Sequence, residues 1–178
     1  MTMKEKIGLF NSAKYVAGPI GGGMCNVIFS EFPDADLIAG VATAGIAWGA
    51  LSADQLKLPF IYVRPKPKEH GLGNQIEGYY EAGQKAVVVE DLISTGKSSL
   101  QVVEVLRQNN IEVVGMVSIF QYGFAHAIDA FEAANVPFHS LTSYPVLIEM
   151  AIQKGMIPAS QQDILMDWAK DPANWKGI

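Results

Sequence analysis

Residues with chemical potential gather in a short stretch, Glu90-Asp91-Leu92-Ile93-Ser94-Thr95-Gly96-Lys97-Ser98-Ser99. Two adjacent carboxylates, Glu90 and Asp91, can accept hydrogen bonds from paired sugar hydroxyls. Ser94, Thr95 and Ser98 supply hydroxyls, and Gly96 lets the backbone turn its amides toward an anion. A helix beginning near Lys97 adds the positive end of its dipole at the same place. A dianionic phosphate on a ribose suits this set. A plain strand-to-helix turn with a Ser or Thr cap would need no ligand. It would leave two neighbouring acids at a buried strand end unexplained, since their charges repel and need solvent or a partner. The stretch is not a Walker loop, although Gly96-Lys97-Ser98 mimics the tail of one.

Two further groups stand out. Thr43-Ala44-Gly45 sits at the end of one strand and the start of a helix, where amides can meet an anion. Small residues that let a helix pack closely on a sheet would look the same. Arg64 closes another strand, and Lys66, Lys68, Glu69 and His70 follow in a segment broken by Pro65, Pro67, Gly71 and Gly73. On charge alone such a run reads as a solvated surface loop. His126 and His139 have no acidic or cysteine neighbours at metal-ligand spacing and read as structural.

These residues need a frame, and the hydrophobic pattern supplies one. Leu37–Val41, Pro59–Val63, Lys85–Glu90, Val113–Phe120 and Phe138–Leu141 read as strands, Ala86-Val87-Val88-Val89 being typical of a central parallel strand. Met24–Phe32, Ile46–Leu56, Ser98–Asn109, Ala125–Asn135, Pro145–Lys154 and Ser160–Lys170 read as helices. The alternation predicts an α/β fold: a doubly wound, mainly parallel sheet with helices on both faces, in one domain over residues 1–178. Residues 1–23 form its irregular N-terminal segment, and Gly18-Pro19-Ile20-Gly21-Gly22-Gly23 reads as a turn.

The chain's 178 residues are 49% hydrophobic and 17% charged, which excludes disorder by composition. A net charge of -5 and a pI near 5.1 argue against nucleic acid as the main partner. Cys25 cannot pair within the chain and reads as a buried small hydrophobe in a reducing compartment. No signal peptide is read near Lys4 and Lys6, and Leu37–Leu51 falls short of the roughly 20 residues of a membrane helix. A cytoplasmic protein is expected.

The run from Val87 to Ser99 resembles the phosphoribosyl-diphosphate signature of type I phosphoribosyltransferases: a hydrophobic strand, two acids, then a T-G-x-[ST] turn. Arg64–Gly78 is similar to the mobile catalytic loop of the orotate-specific members, and Ala39–Ile46 to their diphosphate-contacting loop. The likeness continues through Phe120-Gln121-Tyr122-Gly123 to Trp175. It implies transfer of phosphoribosyl from phosphoribosyl diphosphate to orotate, with Mg²⁺ held mainly by the substrate. It further implies Lys68, His70 and Arg64 as catalytic contacts to the leaving diphosphate, and Thr43, Ala44 and Gly45 as its loop. Glu90 and Asp91 would hold the ribose, Thr95, Gly96, Lys97 and Ser98 the 5'-phosphate, and Ser94 the orotate ring. A homodimer sharing its loop residues across subunits is implied, without nucleic acid or membrane. The family's N-terminal S-G-x-K-S-P-x-Y-x-D-N-R segment has only a loose echo in Asn11-Ser12-Ala13-Lys14-Tyr15. Alternatives within the fold are a phosphoribosyl-diphosphate sensor and an enzyme for another base.

Overall fold

A computed structural model describes residues 18–64 and 74–175. Five strands run parallel: β1 (Leu37–Val41), β2 (Phe60–Val63), β4 (Lys85–Ile93), β5 (Glu112–Gln121) and β6 (Phe138–Ser143). The two-residue β3 (Ile76–Glu77) pairs antiparallel with β2, and the sheet order is β3-β2-β1-β4-β5-β6. β4 is central and buried on both faces, which is why it reads as an unbroken valine run. Val87 and Val89 pack to one side with Met24, Ile28 and Ala53, whereas Ala86 and Val88 pack to the other with Val102, Val103, Leu106 and Phe131.

Helices α1 (residues 18–31) and α2 (Gly45–Leu56) therefore cover one face, and α3 (Lys97–Gln108) and α4 (Ala125–Ala133) the other. α5 (Tyr144–Gln153) and α6 (Gln162–Lys170) pack against each other beyond β6. The doubly wound, mainly parallel arrangement is the one the sequence predicts.

Three differences from the sequence reading stand out. Gly18–Gly23 is helix rather than turn. Ile20 extends the apolar stripe Met24, Val27, Ile28 one turn back, and that packing outweighs about 1 kcal/mol of helix propensity lost per glycine. Gly23 also lies close to Leu141, whose Cδ1 would stand 3.2 Å from an added Cβ. β4 runs on to Ile93 because β5 continues beside it, pairing Leu92 with Phe120 and Ile93 with Gln121. The acid pair thus belongs to the strand. β3 was not expected, since two residues carry too little pattern to read.

Candidate active site

Strand order reverses between β1 and β4, and in such sheets the crevice outside the carboxyl ends at that reversal takes the ligand. The turn after β1 holds Thr43, Ala44 and Gly45; the turn after β4 holds Ser94, Thr95 and Gly96. The fold brings these two sequence-predicted loops to the same crevice. Thr43 and Ala44 are exposed, whereas Gly45 is buried against β4. A Cβ on Gly45 would stand 2.5 Å from the carbonyl oxygen of Val89, so no side chain fits.

The second turn is shaped by Gly96, which caps α3 at φ 75° in left-handed conformation. A side chain there would also meet Phe131, with Cε2 only 2.8 Å from the added Cβ. The Lys97 amide donates to Thr95 Oγ1 at 3.5 Å, and Leu100 N–H makes the helical bond to the Gly96 carbonyl at 2.9 Å. First-turn amides of a helix have no carbonyl partner within it. The first turn of α3 carries no acidic side chain to compete with an incoming anion. Thr95, Lys97 and Ser98 are exposed and Ser94 is half-buried.

The acids are not equivalent. Asp91 is half-buried, whereas Glu90 is only 6% exposed. One Glu90 oxygen, Oε1, accepts the Asp91 amide at 3.1 Å; the other, Oε2, accepts the Ser99 hydroxyl at 3.3 Å. Burial, with the neighbouring Asp91 carboxyl, pushes the Glu90 carboxyl up to about 8; the Asp91 amide and the Ser99 hydroxyl act in the opposite sense. The two acids read from sequence as partners of the sugar hydroxyls are therefore unequal, Glu90 buried and Asp91 half-buried.

Arg64 ends β2. Its amide donates to the Gln75 carbonyl at 2.8 Å, Gln75 Nε2 donates back to the Arg64 carbonyl at 3.3 Å, and its guanidinium meets Glu77 Oε1 at 3.6 Å. These contacts join the end of β2 to Gln75 and Glu77. Arg64, Ala42 and Ser98 line one small cavity of about 30 Å³, so Arg64 stands beside both loops. Lys68 and His70 lie outside the described residues.

Two features escaped the sequence reading. Ser99 lies on the inner face of α3 and holds Glu90, and only the helical register relative to β4 could have signalled it. The ring cluster just beyond β5 is the other. The Tyr122 amide donates to the Ile93 carbonyl at 3.1 Å, next to Ser94. Its ring stacks on Phe124 at 5.2 Å and meets Trp168 edge-on at 5.5 Å. These rings are spread over 47 positions of sequence, from Tyr122 to Trp168, so no local pattern unites them.

Cys25 is buried as expected, and burial pushes its thiol up, away from the reactive thiolate. His126 stacks on Phe124, and His139 lies 3.9 Å from Glu31.

Two strand-to-helix turns meeting beside an acid pair where a parallel sheet reverses its order have the architecture of a phosphoribosyltransferase. Residues 26–131, more than half of the chain, match the family model described as phosphoribosyl transferase domain, and the chain belongs to that family. Within it the chain falls among the orotate phosphoribosyltransferases. It is 49% identical over 157 residues to the orotate phosphoribosyltransferase of Cytophaga hutchinsonii, covering 88% of this chain and 75% of that one. It is 52% identical over 155 residues to the Bacillus cereus enzyme of the same name, covering 87% and 74%. The crystal structure of orotate phosphoribosyltransferase from Aeropyrum pernix superposes with a TM-score of 0.70 at 29% identity, over 88% of this chain and 84% of that one.

Proposed function

We propose that this chain transfers the phosphoribosyl group of phosphoribosyl diphosphate to orotate, giving orotidine 5'-phosphate and diphosphate for pyrimidine nucleotide synthesis. The observation that carries the reading is the meeting of the Thr43–Gly45 and Ser94–Ser98 turns at one crevice, with Asp91 between them at its edge. It is supported by 49–52% identity to enzymes of that name.

Each part has a role in the reaction. The 5'-phosphate lies in the turn Thr95–Ser98, against the amides that open α3. Asp91 and Glu90 accept the ribose hydroxyls, fixing the sugar in register with both turns. Cleavage of the bond to diphosphate leaves positive character on the sugar and negative charge on the departing group. The amides after β1, with Arg64, Lys68 and His70, stabilise that growing charge. Protonated His70 also serves as the proton donor to diphosphate. Ser94 contacts the orotate ring.

Mg²⁺ fits as a companion of the substrate. Asp91 offers it one hard oxygen donor at the crevice. Bound there with the diphosphate, the ion would neutralise part of its charge. We further infer a homodimer in which loop residues are shared across subunits, Lys68 and His70 serving the neighbouring crevice while Arg64 stands beside its own chain's turns. No helix among the described residues is long and apolar enough to cross a membrane, and a cytoplasmic location is our reading.

Calorimetric titration with phosphoribosyl diphosphate and Mg²⁺ tests the ribose assignment. Asp91→Asn should bind at least tenfold more weakly, about 1.4 kcal/mol, with an unchanged melting profile. Unchanged affinity would refute it.

A further inference from the structure

Ser99 occupies a position that helix packing alone would give to an apolar residue. It lies on the buried stripe of α3 with Val102, Val103 and Leu106, and is 1% exposed. Burying a hydroxyl there costs free energy unless it is bonded, and its bond goes to Glu90 Oε2. With the Asp91 amide on Oε1, each oxygen of that carboxylate has one fixed donor. A carboxylate oxygen has two lone pairs, so each oxygen can still accept a sugar hydroxyl. A carboxylate held this way loses little freedom when the sugar binds, which raises affinity without a further contact.

We propose that Ser99 is a positioning residue for phosphoribosyl diphosphate, acting through the hydrogen bond that fixes the Glu90 carboxylate. The inference rests on the proposed function, in which Glu90 holds the ribose. Among the described residues few groups face that carboxyl. Its own strand brings Asp91 and α3 brings Ser99. The first residue of α2, Gly45, brings only backbone. β5 places Ser118 in register with Glu90, and the Ser118 hydroxyl is engaged with Ser140 Oγ at 2.6 Å and the Phe120 carbonyl at 3.2 Å. Ser99 is thus the neighbouring side chain whose bond favours the ionised carboxyl, a direction that agrees with its effect on Glu90 titration. Without it the carboxyl ionises at higher pH and samples more orientations.

The test is titration of the full chain with phosphoribosyl diphosphate and Mg²⁺ between about pH 6 and pH 9, for wild type, Ser99→Ala, Ser99→Thr, Glu90→Gln and the double variant. Ser99→Ala should weaken binding about tenfold near pH 7, where Glu90 must give up its proton to bind as a carboxylate, the scale of a hydrogen bond to a charged group. It should also move the midpoint of the pH dependence upward by about one unit. Ser99→Thr, which keeps the hydroxyl, should restore most of the affinity. In the Glu90→Gln background Ser99→Ala should add nothing. Should Ser99→Ala fail to fold, Ser99→Cys replaces it, keeping the volume with a weaker donor. A lowered melting temperature with unchanged affinity and pH midpoint would overturn the inference, as would full additivity with Glu90→Gln. Absence of binding by the wild type would instead remove the ribose reading and the inference together.

Discussion

Gly45, the first residue of α2, lies directly against Glu90 near the end of β4: a Cβ on the glycine would stand 3.4 Å from the Glu90 Cα. The turns after β1 and β4 are thereby locked in register across the boundary where strand order reverses. The glycine is required by this close approach, and the spacing between the turns depends on it.

Gly45→Ala should therefore separate the turns. The new methyl meets the Val89 carbonyl, a backbone atom that cannot rotate away. Overpacking of this kind costs about 1–3 kcal/mol of stability. Urea denaturation should show that loss, and titration should show affinity for phosphoribosyl diphosphate falling further than affinity for ribose 5-phosphate, which lacks the group held by the Thr43–Gly45 turn. Equal losses for both ligands would contradict the assignment of that turn.

Gly96→Ala tests the second turn. Left-handed backbone costs a side-chain-bearing residue about 1–2 kcal/mol, and contact with Phe131 adds to it. The variant should lose stability and bind ribose 5-phosphate more weakly, whereas Lys97→Ala, on an exposed side chain, should leave stability within about 0.5 kcal/mol of wild type.

Glu90 gives the unliganded protein a pH dependence. Its carboxyl is pushed up to about 8 from an ordinary value of 4.5, so the folded state holds the proton more tightly than the unfolded state. Stability from this group is complete below about pH 4.5 and is lost as pH rises through about 8. Denaturation curves should fall by a few kcal/mol, on the order of the shift, between about pH 5 and pH 8. Glu90→Gln should flatten that slope, and parallel slopes in the two proteins would contradict the buried carboxyl.

Much of this was legible in the sequence because strand alternation and turn chemistry are local. The Val87–Val89 run declares a strand buried on both faces, and Gly96 after Ser94-Thr95 declares the turn. Burial of Glu90 was not legible, because it depends on where α3 crosses β4 and brings Ser99 within reach. The helix at Gly18–Gly23 was hidden for a similar reason: tertiary packing of Ile20 and Met24 overrides poor local propensity. The ring cluster around Tyr122 is assembled from β5, α6 and the turn between β5 and α4, which only the fold joins.

The central claim is that this crevice joins phosphoribosyl to orotate, and ultraviolet absorbance follows that reaction directly. With Mg²⁺ and phosphoribosyl diphosphate present, orotate should disappear and release one diphosphate per orotate consumed, while uracil, guanine and adenine controls stay unchanged. Binding of phosphoribosyl diphosphate without loss of orotate would contradict the account and point to a sensor, and consumption of another base in its place would contradict the assigned acceptor.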